Sequence, residues 1–73
     1  MEVLRCQGKT AWPELLGARA EMAKEIIERE NKWVKVVFMV EGFERTMDYR
    51  CDRVFLWTAE YRTGVVVRVP TVG

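Results

Sequence analysis

The 73-residue chain contains no histidine and no serine. Without them a Ser-His-Asp site cannot be assembled, and neither can a Cys-His pair. There are two cysteines, and without histidine they cannot complete the tetrahedral set of an ordinary zinc site. No metal or cofactor is expected. The carboxylates Glu14, Glu21, Glu25, Glu28 and Glu30 sit in or beside a helical stretch and read as solvated, so the inventory argues against an enzyme. No apolar run approaches the roughly 20 residues that span a bilayer. The longest, Val34 to Val40, is interrupted by Lys35. Charge of one sign is also missing: the net charge is +1 with acids and bases mixed, which gives no basic patch for nucleic acid. The N-terminus has no apolar core like that of a signal peptide. The compartment stays open: secreted or vacuolar if a leader has been removed, cytosolic if there was none.

What is present describes a soluble globular domain, 49% apolar and 32% charged, short enough to need good packing or a covalent staple. A single domain over residues 1–73 is expected. Cys6 and Cys51 allow one intramolecular pairing, and two buried thiols are the alternative. Trp12 reads as a core anchor within the segment Lys9 to Gly17.

Ala20 to Glu30 is a run of helix formers with Ala20, Ala23, Ile26 and Ile27 on one face, covering a sheet. Arg19 is a poor N-cap, and Asn31 is a plausible stop. Val34 to Val40 reads as a largely buried strand. Asp52 to Trp57 reads as a second, with Val54 and Leu56 on one face and Arg53, Phe55 and Trp57 on the other. Thr58 to Gly64 is expected to turn, and Val65 to Val69 to form a third strand.

Between the first two strands, Glu41 to Cys51 is long for a hairpin and lacks an Asn-Gly or Asp-Gly turn. It also carries Phe43, Met47 and Tyr49 where solvent is expected. Large side chains on a long loop of a small scaffold mark a candidate functional element, with a plain connection as the alternative.

Three separated segments resemble the potato inhibitor I family of serine protease inhibitors. These are Gly8-Lys9-Thr10-Ala11-Trp12-Pro13-Glu14-Leu15-Leu16-Gly17, Thr46-Met47-Asp48-Tyr49-Arg50-Cys51-Asp52-Arg53-Val54 and Val67-Arg68-Val69-Pro70-Thr71-Val72-Gly73. The resemblance implies an α+β fold, with one helix packed on a small mixed sheet and an extended reactive-site loop joining two parallel strands. It implies a Cys6–Cys51 disulfide, as in a subset of the family. It also implies a scissile bond at Met47–Asp48, with Glu44, Arg45, Thr46, Met47, Asp48, Tyr49 and Arg50 contacting the protease and Arg50 directed toward the enzyme. Thr46 and Asp48 match the residues that flank the bond and are held by arginines of the following strand, of which Arg53 matches the first.

Phe55 stands where many members carry the second arginine, so one support is missing unless Phe55 packs against the loop or the disulfide compensates. Met47 suits the deep apolar pocket of chymotrypsin-like enzymes and is tolerated by subtilisin-like ones, whereas trypsin should be a poor target. Arg45 replaces a small apolar residue, and Glu44 suits the apolar subsite of subtilisins badly, which favours chymotrypsin-like partners. A monomer acting on serine proteases is the expected form. The alternative is a binding module that kept the scaffold without inhibiting.

Overall fold

A computed structural model describes residues 6–40, 48–61 and 63–73. A short 3-10 turn at Pro13–Leu15 precedes one helix, α1 (Ala20–Glu30). Four strands follow: β1 (Lys35–Val40), β2 (Arg53–Glu60), β3 (Thr63–Val66) and β4 (Thr71–Val72). β1 and β2 are parallel, while β3 and β4 both pair antiparallel with β2 on its other side. This is the helix on a small mixed sheet that the family resemblance implied. Among the described residues no helix is long and apolar enough to cross a membrane.

The helix has the expected bounds, but its start is set by tertiary pairing. Arg19 gives no side-chain cap. Instead the Gly17 N–H donates to the Val66 carbonyl and the Val66 N–H to the Ala18 carbonyl, both at 2.8 Å, which docks the chain on β3 just before α1 begins. At the other end Asn31 does more than stop the helix. Buried, it donates from Nδ2 to the carbonyls of Gln7 (2.8 Å) and Lys9 (2.9 Å) and accepts the Trp33 N–H at Oδ1 (2.8 Å). Gly8 packs directly on this amide at φ +78°; a Cβ there would lie 3.0 Å from Asn31 Nδ2, so both space and conformation demand glycine.

The core lies between α1 and the inner face of the sheet, built from Trp12, Leu15, Ala23, Ile27, Val34, Val54, Leu56, Val66 and Val72. Trp12 is 0% exposed, and its indole N–H reaches Glu30 Oε1 at 2.9 Å. Two carboxylates expected to be merely solvated are therefore structural. Glu30 holds Trp12, and Glu28 accepts the Val36 N–H at 2.9 Å while pairing with Lys24. Burial raises the Glu28 pKa, but the Val36 N–H and the Lys24 ammonium outweigh it, and the net direction is down.

The strands differ from expectation in three places. β1 is not largely buried: it is the outermost strand, so Lys35 and Val37 stay exposed and the rest is half-covered. β2 runs on through Thr58 to Glu60 where a turn was expected, because Val66 pairs opposite Thr58 and buries it. The third strand sits earlier, at Thr63–Val66. The chain then leaves the ladder and returns as β4, with Val72 opposite Val54 and Thr71 opposite Phe55. Pro70, which cannot donate to a ladder, lies at that break and accepts the Trp12 N–H at 2.9 Å.

Candidate functional site

Parallel neighbours cannot be joined by a tight turn, so the link from β1 to β2 has to travel back along the sheet. With Lys35 opposite Arg53 and Val40 opposite Thr58, it must return the length of β1, about 17 Å at the rise of a strand. Residues 41–52 can reach about 40 Å when extended, more than twice what the return requires.

Three tethers are present at its trailing end. The first is covalent: Cys6 and Cys51 are joined, 5.0 Å apart at Cα, as the resemblance implied. The Tyr49 hydroxyl points at the same bridge, 3.5 Å from Cys6 Sγ. The second is Arg53, the first residue of β2, whose side chain is only 14% exposed. Its Nη2 donates to the Asp48 carbonyl at 2.7 Å, its Nη1 lies 3.5 Å from Asp48 Oδ2, and its Nε donates to the Gly73 main-chain oxygen at 2.6 Å. Gly73 in turn donates its N–H to the Arg53 carbonyl at 2.9 Å. The guanidinium thus ties Asp48 to the strand after the link and to the far end of the chain. Charge-assisted donors in a planar fork suit this double duty better than a lysine would.

The third tether is Arg50, which is exposed and makes a two-pronged pair with Asp52, Nε to Oδ1 at 3.0 Å and Nη2 to Oδ2 at 2.8 Å. The pair raises the Arg50 pKa and lowers that of Asp52, each mainly through the hydrogen bond between them. The family resemblance directs Arg50 toward an enzyme and gives Asp52 no role. Spacing of two residues along an irregular segment is too weak a signal to reveal the pair.

Phe55 does not extend toward an acceptor as an arginine would. It is 7% exposed, with the Arg53 guanidinium 4.5 Å from its ring centroid. The ring supports the plane of Arg53 from below, a cation–π contact that fixes the fork's orientation. Gly73, which receives Arg53, had no signal in the sequence beyond its place in a motif. Of the remaining site residues inferred from sequence, Glu44, Arg45, Thr46 and Met47 lie outside the described residues, while Asp48, Tyr49 and Arg50 are exposed.

Comparison with known proteins places this arrangement. A protein of Momordica charantia named Glu S.griseus protease inhibitor is 46% identical over 69 residues, which make up 94% of this chain and 98% of that one. A trypsin/subtilisin inhibitor of Amaranthus caudatus is 49% identical over 67 residues, 92% of this chain and 94% of its own. The crystal structure of bitter gourd trypsin inhibitor superposes with a TM-score of 0.87 at 50% identity, covering 96% of this chain and 100% of that one. The model of the potato inhibitor I family matches residues 5–73, leaving out only the first four. The chain therefore belongs to the potato inhibitor I family, a family of protease inhibitors and not of enzymes.

Proposed function

We propose that the chain inhibits serine proteases by offering a substrate-like segment whose scissile bond is Met47–Asp48, with chymotrypsin-like enzymes preferred and subtilisin-like ones also bound. The observation that carries this reading is the Arg53 bridge: the carbonyl of Asp48, immediately past that bond, is tied to a guanidinium that is itself bonded to Gly73. A peptide presented this way has already lost much of the freedom it would lose on binding, so little entropy opposes its capture.

The same tether governs the fate of a cut chain. If the protease cleaves Met47–Asp48, the new amine of Asp48 stays beside the acyl-enzyme, because Arg53 and the Cys6–Cys51 bridge hold the trailing side in place. Religation then competes with hydrolysis at a high effective concentration of amine. Glu44, Arg45, Thr46, Met47, Asp48, Tyr49 and Arg50 form the surface that meets the enzyme, with Thr46 and Asp48 as flanking residues and Arg53 and Phe55 as support. The inhibitor acts as a monomer, one chain to one protease.

Met47 sets the target. Relatives of 46–49% identity are named for different proteases, among them a Glu S.griseus protease and trypsin with subtilisin, which supports assigning selectivity to the link and not to the scaffold. A thioether fills a deep apolar pocket and makes no ion pair with a buried carboxylate at its base, which favours chymotrypsin-like over trypsin-like pockets. The test is a titration of the wild type and Met47→Lys against chymotrypsin, subtilisin and trypsin, with mass analysis of recovered inhibitor. We expect inhibition to move from chymotrypsin toward trypsin, with one nick at residue 47 in both proteins. An unchanged profile would remove Met47 as the specificity residue.

A further inference from the structure

Of the three tryptophans, Trp12 and Trp57 are buried, while Trp33 is 64% exposed. Its ring nonetheless grows from a fixed backbone. The Trp33 N–H donates to Asn31 Oδ1 at 2.8 Å, its neighbour Val34 is buried in the core, and the Lys35 N–H donates to the Asp52 carbonyl at 2.9 Å. With the chain pinned on both sides and only two side-chain torsions left, little freedom remains to be lost when the indole is covered. A large apolar ring left in water in this way gains free energy from any surface that buries it.

The ring adjoins the trailing side of the proposed reactive segment. Trp33 lines a cavity of about 270 Å³ together with Gln7, Cys51 and Asp52. Two separate sets of contacts run from that cavity to the residues just past Met47–Asp48. Cys51 is bonded to Cys6, whose sulfur lies 3.5 Å from the Tyr49 hydroxyl. Asp52 holds the Arg50 guanidinium in the two-pronged pair. Trp33 and Tyr49, both exposed, thus stand beside one disulfide. A second cavity of about 320 Å³, lined in part by Glu30 and Lys32, borders the same indole. An apolar centre ringed by Gln7, Glu30, Lys32 and Asp52 has the make-up of an interface anchor inside a polar rim.

Interface size indicates what covers this anchor. A stable protein–protein interface takes about 800 Å² and roughly 20–30 residues from each partner. The proposed reactive segment, Glu44 to Arg50, offers seven. The rest has to come from the body beside it, and Trp33, the most exposed large apolar residue among those described, adjoins its trailing end. We propose that Trp33 is a second anchor for the target protease, packing into an apolar, polar-rimmed depression on the enzyme's leaving-group side while Met47 fills the specificity pocket. This rests on the inhibitory reading and extends it from the segment to the body. Affinity then depends on a residue that takes no part in tethering the segment.

Two measurements test this against chymotrypsin and subtilisin. In the first, the inhibitor carries 5-fluorotryptophan, so that fluorine NMR reads its own indoles and none of the enzyme's. In the free protein a soluble nitroxide should broaden the Trp33 signal and spare Trp12 and Trp57; in the complex it should spare Trp33 as well. In the second, Trp33→Ala should inhibit roughly tenfold less tightly, chiefly through faster dissociation, with Trp33→Phe in between and the urea midpoint unchanged. Met22→Ala, which trims an exposed side chain on α1, should inhibit as the wild type does. A Trp33 signal still open to the nitroxide in the complex overturns the proposal. So does an unchanged inhibition constant in Trp33→Ala, or an equal loss in Met22→Ala. A Trp33 signal already shielded in the free protein also overturns it, since residues 1–5 or a second copy then occupy the face. If the wild type inhibits neither enzyme, the inhibitory reading fails and this one with it; if it inhibits and Trp33 stays a bystander, only this one fails.

Discussion

Replacing Arg53 with lysine separates the two jobs of its guanidinium. The fork makes two bonds to main-chain oxygens, to Asp48 at 2.7 Å and to Gly73 at 2.6 Å, and a longer approach to the Asp48 carboxylate at 3.5 Å. The ion pair adds little, since the Asp48 side chain is 55% exposed and solvent screens it. The main-chain bonds matter more, because the Arg53 side chain is largely covered. A hydrogen bond from a charged donor contributes about 1.5 kcal/mol at the low end of its range. An ammonium is a point donor and cannot span both oxygens, so Arg53→Lys loses at least one of the two bonds and the stacking on Phe55. Losing the Gly73 bond lowers global stability by about 1.5 kcal/mol. Losing the Asp48 bond leaves global stability alone and releases the residue after the proposed scissile bond by a similar amount, roughly tenfold in its local equilibrium. Urea unfolding reads the first effect. The second is read by the ratio of intact to nicked inhibitor after equilibration with catalytic chymotrypsin, which should move about tenfold toward the nicked form. A variant with both the wild-type urea midpoint and the wild-type ratio would refute the reasoning, since Arg53 would then be tethering nothing.

Two further outcomes concern tethers elsewhere. Removing the bridge with Cys6→Ala and Cys51→Ala together should lower stability in urea by about 4 kcal/mol, the loop-closure figure for a separation of 45 residues. It should also speed nicking at Met47–Asp48, and a loss below about 1 kcal/mol would show that the unfolded chain is already restricted there. Glu28 gives a pH dependence. Its folded pKa lies below the ordinary 4.5, so its contribution is complete above that value and is lost as pH falls through the lower folded one. Glu28→Gln should reduce the slope of stability against pH in that acid window, and an unaltered slope would mean that other carboxylates account for it.

The parts of the fold legible in the sequence are those with local causes. Helix formers with one apolar face set α1 to the residue, and alternation along β2 assigns Val54 and Leu56 to one side and Arg53, Phe55 and Trp57 to the other. Thr58 to Glu60 read as turn because threonine, alanine and glutamate carry no strong strand signal. They are strand because Val66 and Thr63 pair with them. Asn31 reads as a helix stop, while its larger role depends on carbonyls 22 and 24 positions away, at Lys9 and Gln7. In the site, Arg53 and Asp48 are found through the motif they share with a family. The partner that comes from a distant segment, Gly73 bonded to Arg53, has no local pattern to reveal it.

One physical constraint connects these features. Parallel strands cannot be joined by a tight turn, and a link more than twice the needed length has room for many paths. An inhibitory peptide has to occupy one path. Among the described residues, the body narrows that choice at the trailing end, residues 48–52. Phe55 lies buried on the side away from the helix and stacks against the Arg53 guanidinium that holds Asp48. The Cys6–Cys51 bond then fixes the landing end to the start of the chain, and Gly73 fixes Arg53 to its last residue. Cys6 and Gly73, far apart in the sequence, are thus both tied to the segment 48–53. If a protease cuts at Met47–Asp48 as proposed, that concentration of tethers is what would keep the new amine close enough for recapture.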